Sequence, residues 1–174
     1  MAAVNPDLME ACCGLGGQSN TGYRENLFLA PDDLTDAAAK IRDSGFFLED
    51  VSCLDMKEGF QVVYHFDRYD KPGRICLRVM ISRSNPEISS IASIFPGADW
   101  HERECYDFFG ITFKGHPNLI PLLLDPDHDG PPPLIKTEAK RKDMFQLFPG
   151  WTGTPVQPDS EEFAQAISKT STTP

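Results

Sequence analysis

Four histidines, His65, His101, His116 and His128, with neighbouring acids, are the side chains from which a metalloenzyme or hydrolase would have to be built. Two imidazoles hold one ion from a helix when they stand four residues apart on one face, and His101-Glu102 has no such second histidine. From His116 to His128 the chain passes Pro117, Pro121 and Pro126, so no rigid element joins those two rings. Asp125, Asp127, Asp129 and Gly130 are similar to the opening of a calcium loop. Pro126 and His128 interrupt it, three prolines follow at 131–133, and no glutamate stands at the twelfth position. Gly14-Leu15-Gly16-Gly17 is not a dinucleotide fingerprint, because no strand precedes it and no clear helix follows. With no set of nucleophile, base and oxyanion donors, no catalytic, cofactor-binding or metal-ligating residue is assigned.

The five cysteines, Cys12, Cys13, Cys53, Cys76 and Cys105, are odd in number and form no Cys-x-x-Cys pair, so they read as reduced thiols, mostly core fillers. A formal net charge of -10 excludes broad binding to a phosphate backbone, and with it nucleic acid as a partner. At 174 residues, 40% apolar and 24% charged, the chain can bury one core. Its longest apolar stretches, 91–95 and 120–124, are about a quarter of the roughly 20 residues that a membrane span requires. The first residues lack the basic and apolar parts of a secretory signal and the arginine-rich character of a transit peptide. A soluble chain in a bacterial or archaeal cell is expected.

Among the elements that must position any site, residues 1–25 read as a flexible glycine-rich arm. Leu27, Phe28 and Leu29 form a short strand, and Asp32 or Asp33 caps a helix with Leu34, Ala38 and Ile41 on one stripe, closed by Gly45. A strand from Phe46 to about Met56 precedes one in which Phe60, Val62, Tyr64 and Phe66 alternate, Val63 weakening the pattern. Asp70-Lys71-Pro72-Gly73 reverses the chain into a hairpin, and Ile75, Leu77, Val79 and Ile81 resume strict alternation. Ser89 or Ser90 caps a short helix with Ile91, Ile94 and Phe95. After Pro96-Gly97, Asp99 and Glu102 have the spacing of a capping box for a second helix that ends at Gly110.

Nine prolines then punctuate the chain from Pro117 to Pro158, leaving an arm with few regular elements. It carries Leu119, Ile120, Leu122, Leu123, Leu124, Leu134, Ile135, Met144, Phe145, Leu147, Phe148 and Trp151, too apolar for an ordinary solvated tail. A domain of about 90 residues has limited surface to cover these side chains, so another protein is expected to do so. The fold class is α+β: a small, mostly antiparallel sheet with helices packed on it (26–116), followed by a long extended proline-rich C-terminal arm for partner binding (117–174).

On the second helix Arg103 and Asp107 stand at i, i+4 and can pair, Glu102 shares a stripe with Tyr106 and Phe109, and Glu104 lies with Phe108. The run from Glu102 to Leu119 reads Glu-Arg-Glu-Cys-Tyr-Asp-Phe-Phe-Gly-Ile-Thr-Phe-Lys-Gly-His-Pro-Asn-Leu. It resembles the signature of the 30-kDa (C-type) subunit family of respiratory complex I. That family includes the homologous subunit of membrane-bound energy-converting NiFe hydrogenases. The likeness extends over roughly residues 26–130. One departure is that Asp127-His128-Asp129-Gly130 runs into Pro131-Pro132-Pro133-Leu134-Ile135-Lys136, where NADH-linked members have His-Pro-Leu-Arg-Lys-Asp; an Arg141-Lys142-Asp143 comes later.

The resemblance implies a non-catalytic structural subunit in the peripheral arm of a proton-pumping NADH:quinone oxidoreductase, or of an energy-converting hydrogenase as the alternative parent. Its partners would be the hydrogenase-like large subunit (D type) and the small iron-sulfur subunit (B type). Iron-sulfur clusters, and flavin or a NiFe centre, would lie in partner subunits and none in this chain. The place would be the cytoplasmic face of the membrane, reached only through the complex. The subunit-interface residues so implied are Glu102, Arg103, Glu104, Asp107, Phe108, Phe109, His116, Pro117, Leu119 and Leu123.

Overall fold

The computed structural model describes residues 12–15, 25–70 and 73–143. Strand β1 (Cys12–Leu15) and strand β2 (Glu25–Leu29) come first, and a 3-10 turn at Pro31–Asp33 then leads into helix α1 (Leu34–Asp43). Pro31 opens that turn, where its missing N–H costs nothing and its fixed φ is already suitable. Leu34, Ala37, Ala38 and Ile41 are the buried stripe of α1. Neither aspartate caps the helix as expected. Asp33 lies in the right-handed helical region, already wound into the turn, and its side chain makes no capping bond. Gly45, at φ 82, closes the other end. Its N–H donates to the Arg42 carbonyl (2.9 Å) and that of Phe46 to the Ile41 carbonyl (3.3 Å), which satisfies two carbonyls the last turn would otherwise leave open.

Strands β3 (Phe47–Asp55), β4 (Phe60–Asp67) and β5 (Ile75–Ile81) complete a sheet in the order β1-β2-β5-β4-β3. The pairs β1–β2, β3–β4 and β4–β5 are antiparallel, whereas β2–β5 is parallel, so the sheet is mixed. The expected hairpin is present, with Phe66 opposite Ile75, although Lys71 and Pro72 of its turn lie outside the described residues. Within the stretch read as a flexible arm, Cys12–Leu15 pairs with β2 through the backbone, a bond pattern that needs no apolar period in the side chains. The rest of that stretch lies outside the described residues.

Phe60, Val62, Tyr64 and Phe66 of β4 pack with Ile75, Leu77, Val79 and Ile81 of β5, with Leu27 and Leu29, and with the α1 stripe in one core. Each Val, Leu, Ile or Phe among them, taken from water, stabilises the fold by about 1.5–3 kcal/mol. The opposite face is buried too, with Gln61, Val63, Cys76, Arg78 and Met80 inside. Val63 therefore departs from alternation because neither face of β4 is fully solvated there. On that face Arg78 donates to Gln61 Oε1 at 3.0 Å. Cys53, Cys76 and Cys105 are buried free thiols, as expected of core fillers.

No helix forms at residues 91–95. Strand β6 (Glu87–Ser89) pairs in parallel with β7 (Thr112–Lys114), and a single turn follows β6 in which the Ile94 and Phe95 amides both donate to the Ile91 carbonyl. Helix α2 (Ala98–Phe109) connects the two strands and ends at Gly110, φ 72, as the sequence indicates. Its N-cap is Gly97, and no side chain caps it; the Asp99–Glu102 capping box is not formed. Past β7 the chain runs through turns to a 3-10 turn at Glu138–Lys140 and on to Asp143. The part of the expected arm from 144 to 174 lies outside the described residues.

Candidate functional site

Helix α2 turns about 100° per residue, so consecutive polar residues of the signature face different neighbours. Arg103 and Asp107, one turn apart, grip the same piece of chain. Arg103 Nε donates to the Ile120 carbonyl and Nη2 to the Pro121 carbonyl, both at 2.9 Å. Asp107 Oδ2 accepts three consecutive N–H groups, from Leu122 (2.9 Å), Leu123 (2.7 Å) and Leu124 (3.1 Å). Residues 120–121 thus present carbonyls to a cation and residues 122–124 present amides to an anion. This replaces the expected Arg103–Asp107 pair, because both charges find backbone dipoles closer at hand. Burial alone would raise the Asp107 carboxyl. The amides of Leu123, Leu124 and Leu122, with Arg103 nearby, outweigh it and hold the group below its ordinary value.

Glu102 points the other way, into the core, with its side chain fully buried. Ser90 Oγ donates to Oε2 at 2.5 Å and the Ile91 amide to Oε1 at 2.8 Å, while Ser90 Oγ accepts from the Ala92 amide at 3.1 Å. Burial raises the Glu102 carboxyl to about 7, against the pull of those two donors. His116, whose side chain is also fully buried, brings Nε2 to 3.9 Å from Glu102 Oε2. Its Nδ1 accepts from the Asn118 amide at 3.0 Å, so Nε2 carries the ring proton and donates to the Asp99 carbonyl at 3.1 Å. Ser90 carried no signal of this role in the sequence beyond its type.

A third carboxylate anchors the far end of the segment. Asp55, at the end of β3 with its side chain fully buried, accepts from Arg83 Nη1 (2.5 Å) and Arg141 Nε (3.3 Å). It also accepts from the Lys136 amide (2.7 Å). Arg83 donates as well to the Met56 carbonyl. Beside it the Lys57 amide donates to the Lys142 carbonyl (3.1 Å), and Lys57 Nζ pairs with Asp143 at 3.4 Å. The displaced Arg141-Lys142-Asp143 is the signal that could have revealed this anchor; Asp55 itself was missed.

The backbone from 117 to 143 is tied to the domain, and Leu119, Leu122 and Leu124 are half-buried, yet other apolar side chains of the segment are left uncovered. Ile120, Leu123, Leu134 and Ile135 are 51%, 65%, 50% and 41% exposed, and Trp100 at the start of α2 is 68% exposed. The Leu134 amide donates to the Phe108 carbonyl at 3.1 Å, which brings the 134–135 pair to the same helix. Of the other residues singled out, Phe109 is buried edge-on to Phe60, ring centres 6.2 Å apart, and Phe108 and Leu119 pack partly buried against the core. Glu104 and Pro117 face solvent. The arrangement holds backbone in place and displays apolar side chains. Among the described residues no helix is long and apolar enough to cross a membrane.

The sequence profile of the family described as "Respiratory-chain NADH dehydrogenase, 30 Kd subunit" matches residues 27–143. The chain belongs to this family. The C-type subunit of the NADH-quinone oxidoreductase of Roseiflexus sp. (strain RS-1) is 38% identical over 114 residues, 62% of this chain and 66% of that protein. The C-type subunit of the F(420)H(2) dehydrogenase of Methanosarcina mazei is 41% identical over 96 residues, 55% of this chain and 56% of that one. The chain thus spans just under two thirds of the first of these relatives and about half of the second. Among solved structures, the trypsin-resistant fragment of Nqo5 is similar at 30% identity with a TM-score of 0.51, over 55% of this chain and 82% of that one. A chain of an archaeal membrane-bound sulfane sulfur reductase shares the fold, with 24% identity and a TM-score of 0.63, over 80% of this chain and 82% of its own.

Proposed function

We propose that the chain is a non-catalytic structural subunit of the peripheral arm of a complex I-like NADH:quinone oxidoreductase. The observation that carries this reading is the exposed group of Trp100, Ile120, Leu123, Leu134 and Ile135, held by hydrogen bonds to the domain yet left uncovered by it. Apolar side chains displayed on a pre-ordered backbone lose little further entropy on association and favour a docking role. The large hydrogenase-like subunit is the partner for this face, with the small iron-sulfur subunit beside it. Iron-sulfur clusters, and flavin or a NiFe centre, belong to partner subunits, and the complex lies on the cytoplasmic face of the membrane. A second reading changes only the electron donor: the likeness to a subunit of an F(420)H(2) dehydrogenase favours F(420)H(2) in place of NADH.

The test is purification through a tag on this chain in mild detergent, with identification of the co-purifying subunits and assays for nickel, iron and flavin. Large and small subunits with iron and flavin but no nickel support the reading. Nickel would instead assign the parent to an energy-converting hydrogenase, and a lone monomer would refute docking. The double variant Ile120→Asp, Leu123→Asp is expected to lose the large subunit. Unimpaired capture by that variant would remove this face as the docking surface.

A further inference from the structure

The buried Glu102–His116 contact takes no part in holding residues 120–124, yet it lies where the turn after β6, helix α2 and the root of the 117–143 segment meet. Both side chains have no exposure, and Glu102 Oε2 lies 3.9 Å from His116 Nε2. Ser90 and the Ile91 amide donate to it from the turn, and Asp99 and Cys105 lie near it on α2. Tyr64 faces it from β4, its hydroxyl buried with no hydrogen-bond partner among the described residues. None of these is a cation. Arg103 is engaged with two carbonyls and forms its ion pair with Asp99, at 3.9 Å. His116 spends Nδ1 as an acceptor for the Asn118 amide and is therefore neutral in this arrangement. A carboxylate ionised in this place has donors but, among the described residues, no countercharge, a costly state that a proton relieves.

We propose that Glu102 is a pH-responsive latch: protonated, it holds the residue 90–95 turn onto α2, and its ionisation favours opening of that joint. The latch does not rest on the docking reading above. The direction follows from linkage. A carboxyl raised from 4.5 to about 7 in the closed form contributes fully below 4.5 and loses its contribution as pH rises toward 7. The opening equilibrium then grows by tens of fold between pH 5 and pH 8, toward a limit of about 300-fold.

The test is amide hydrogen exchange of the full chain, free of partners, at pH 5 and pH 8 after correction for intrinsic exchange. Protection at Ile91 and Ala92 is expected to fall by tens of fold in the natural chain and to be independent of pH in Glu102→Gln. Equal pH dependence in both, or none in the natural chain, overturns the latch. Should the variant not fold, carboxyl-carbon NMR of the natural chain decides: titration of Glu102 near 7 supports the latch, and titration below 5 refutes it. Exchange is read without any partner, so failure of docking leaves this result standing, and the reverse.

Discussion

Replacing Asp107 by Asn is the sharpest probe of how the displayed segment is held. The substitution keeps the shape and one acceptor oxygen but removes the charge that draws three amides onto a single atom, at 2.9, 2.7 and 3.1 Å. Hydrogen bonds to a charged acceptor contribute about 1.5–3 kcal/mol and neutral ones about half that, and the three share one oxygen, so a loss of about 2 kcal/mol is expected. That is roughly a 30-fold change in an equilibrium constant. Residues 120–124 carry little core packing of their own, so the loss should emerge mainly as local opening, with lower exchange protection at Leu122, Leu123 and Leu124. Protection within β4 and β5 should change far less. The pH dependence has a definite sign. The folded carboxyl lies below its ordinary 3.8, so its contribution is complete above that value and is lost as pH falls through the lower folded value. The natural chain should therefore approach the variant's behaviour in acid. Unchanged protection of the three amides at neutral pH would refute the clamp.

Asp55→Asn leaves Arg83 and Arg141 sharing a neutral acceptor at a site with no exposure, and is expected to cost about 3 kcal/mol in urea unfolding. It should also speed proteolysis near Arg141; a midpoint within error of the natural chain would dismiss the anchor. Gly110→Ala places a Cβ at φ 72 and 3.2 Å from Pro132 Cγ, for an expected loss of about 1–2 kcal/mol. A thermal midpoint that does not fall would show that the α2 terminus relaxes freely. Arg103→Lys keeps the charge but cannot present two fixed donors to the Ile120 and Pro121 carbonyls, so exchange at 122–124 should rise by about 1 kcal/mol equivalent. Full protection in the lysine variant would mean that charge alone suffices.

What could be read from the sequence was whatever depends on neighbours close along the chain. The α1 stripe of Leu34, Ala38 and Ile41 and the alternation in β4 and β5 are periods of one element, and Gly110 ends α2 for reasons local to its own φ. The parallel pairing of β6 with β7 joins strands on either side of a helix, and no periodicity in a three-residue strand announces it. Asp55 and Arg141 are 86 positions apart, so their contact follows from the folded path and not from spacing. The Asp99–Glu102 spacing had a local meaning that tertiary structure overrode: Glu102 found Ser90 and Ile91 across the core in place of its own helix terminus.

The signature itself illustrates why a polar run can be both informative and misread. As a pattern, Glu102-Arg103-Glu104 followed by Asp107 suggests a helix laced by its own ion pairs. In the folded chain the helical turn distributes those residues among separate neighbours. Glu102 goes inward to the turn after β6, Glu104 outward to solvent, and Arg103 with Asp107 sideways to residues 120–124. Moving the aspartate by one position would rotate it by about 100° and lose all three amides, although composition and charge would be unchanged. The spacing therefore encodes the placement of a later segment, and the apolar residues which that segment displays depend on a helix that none of them is part of.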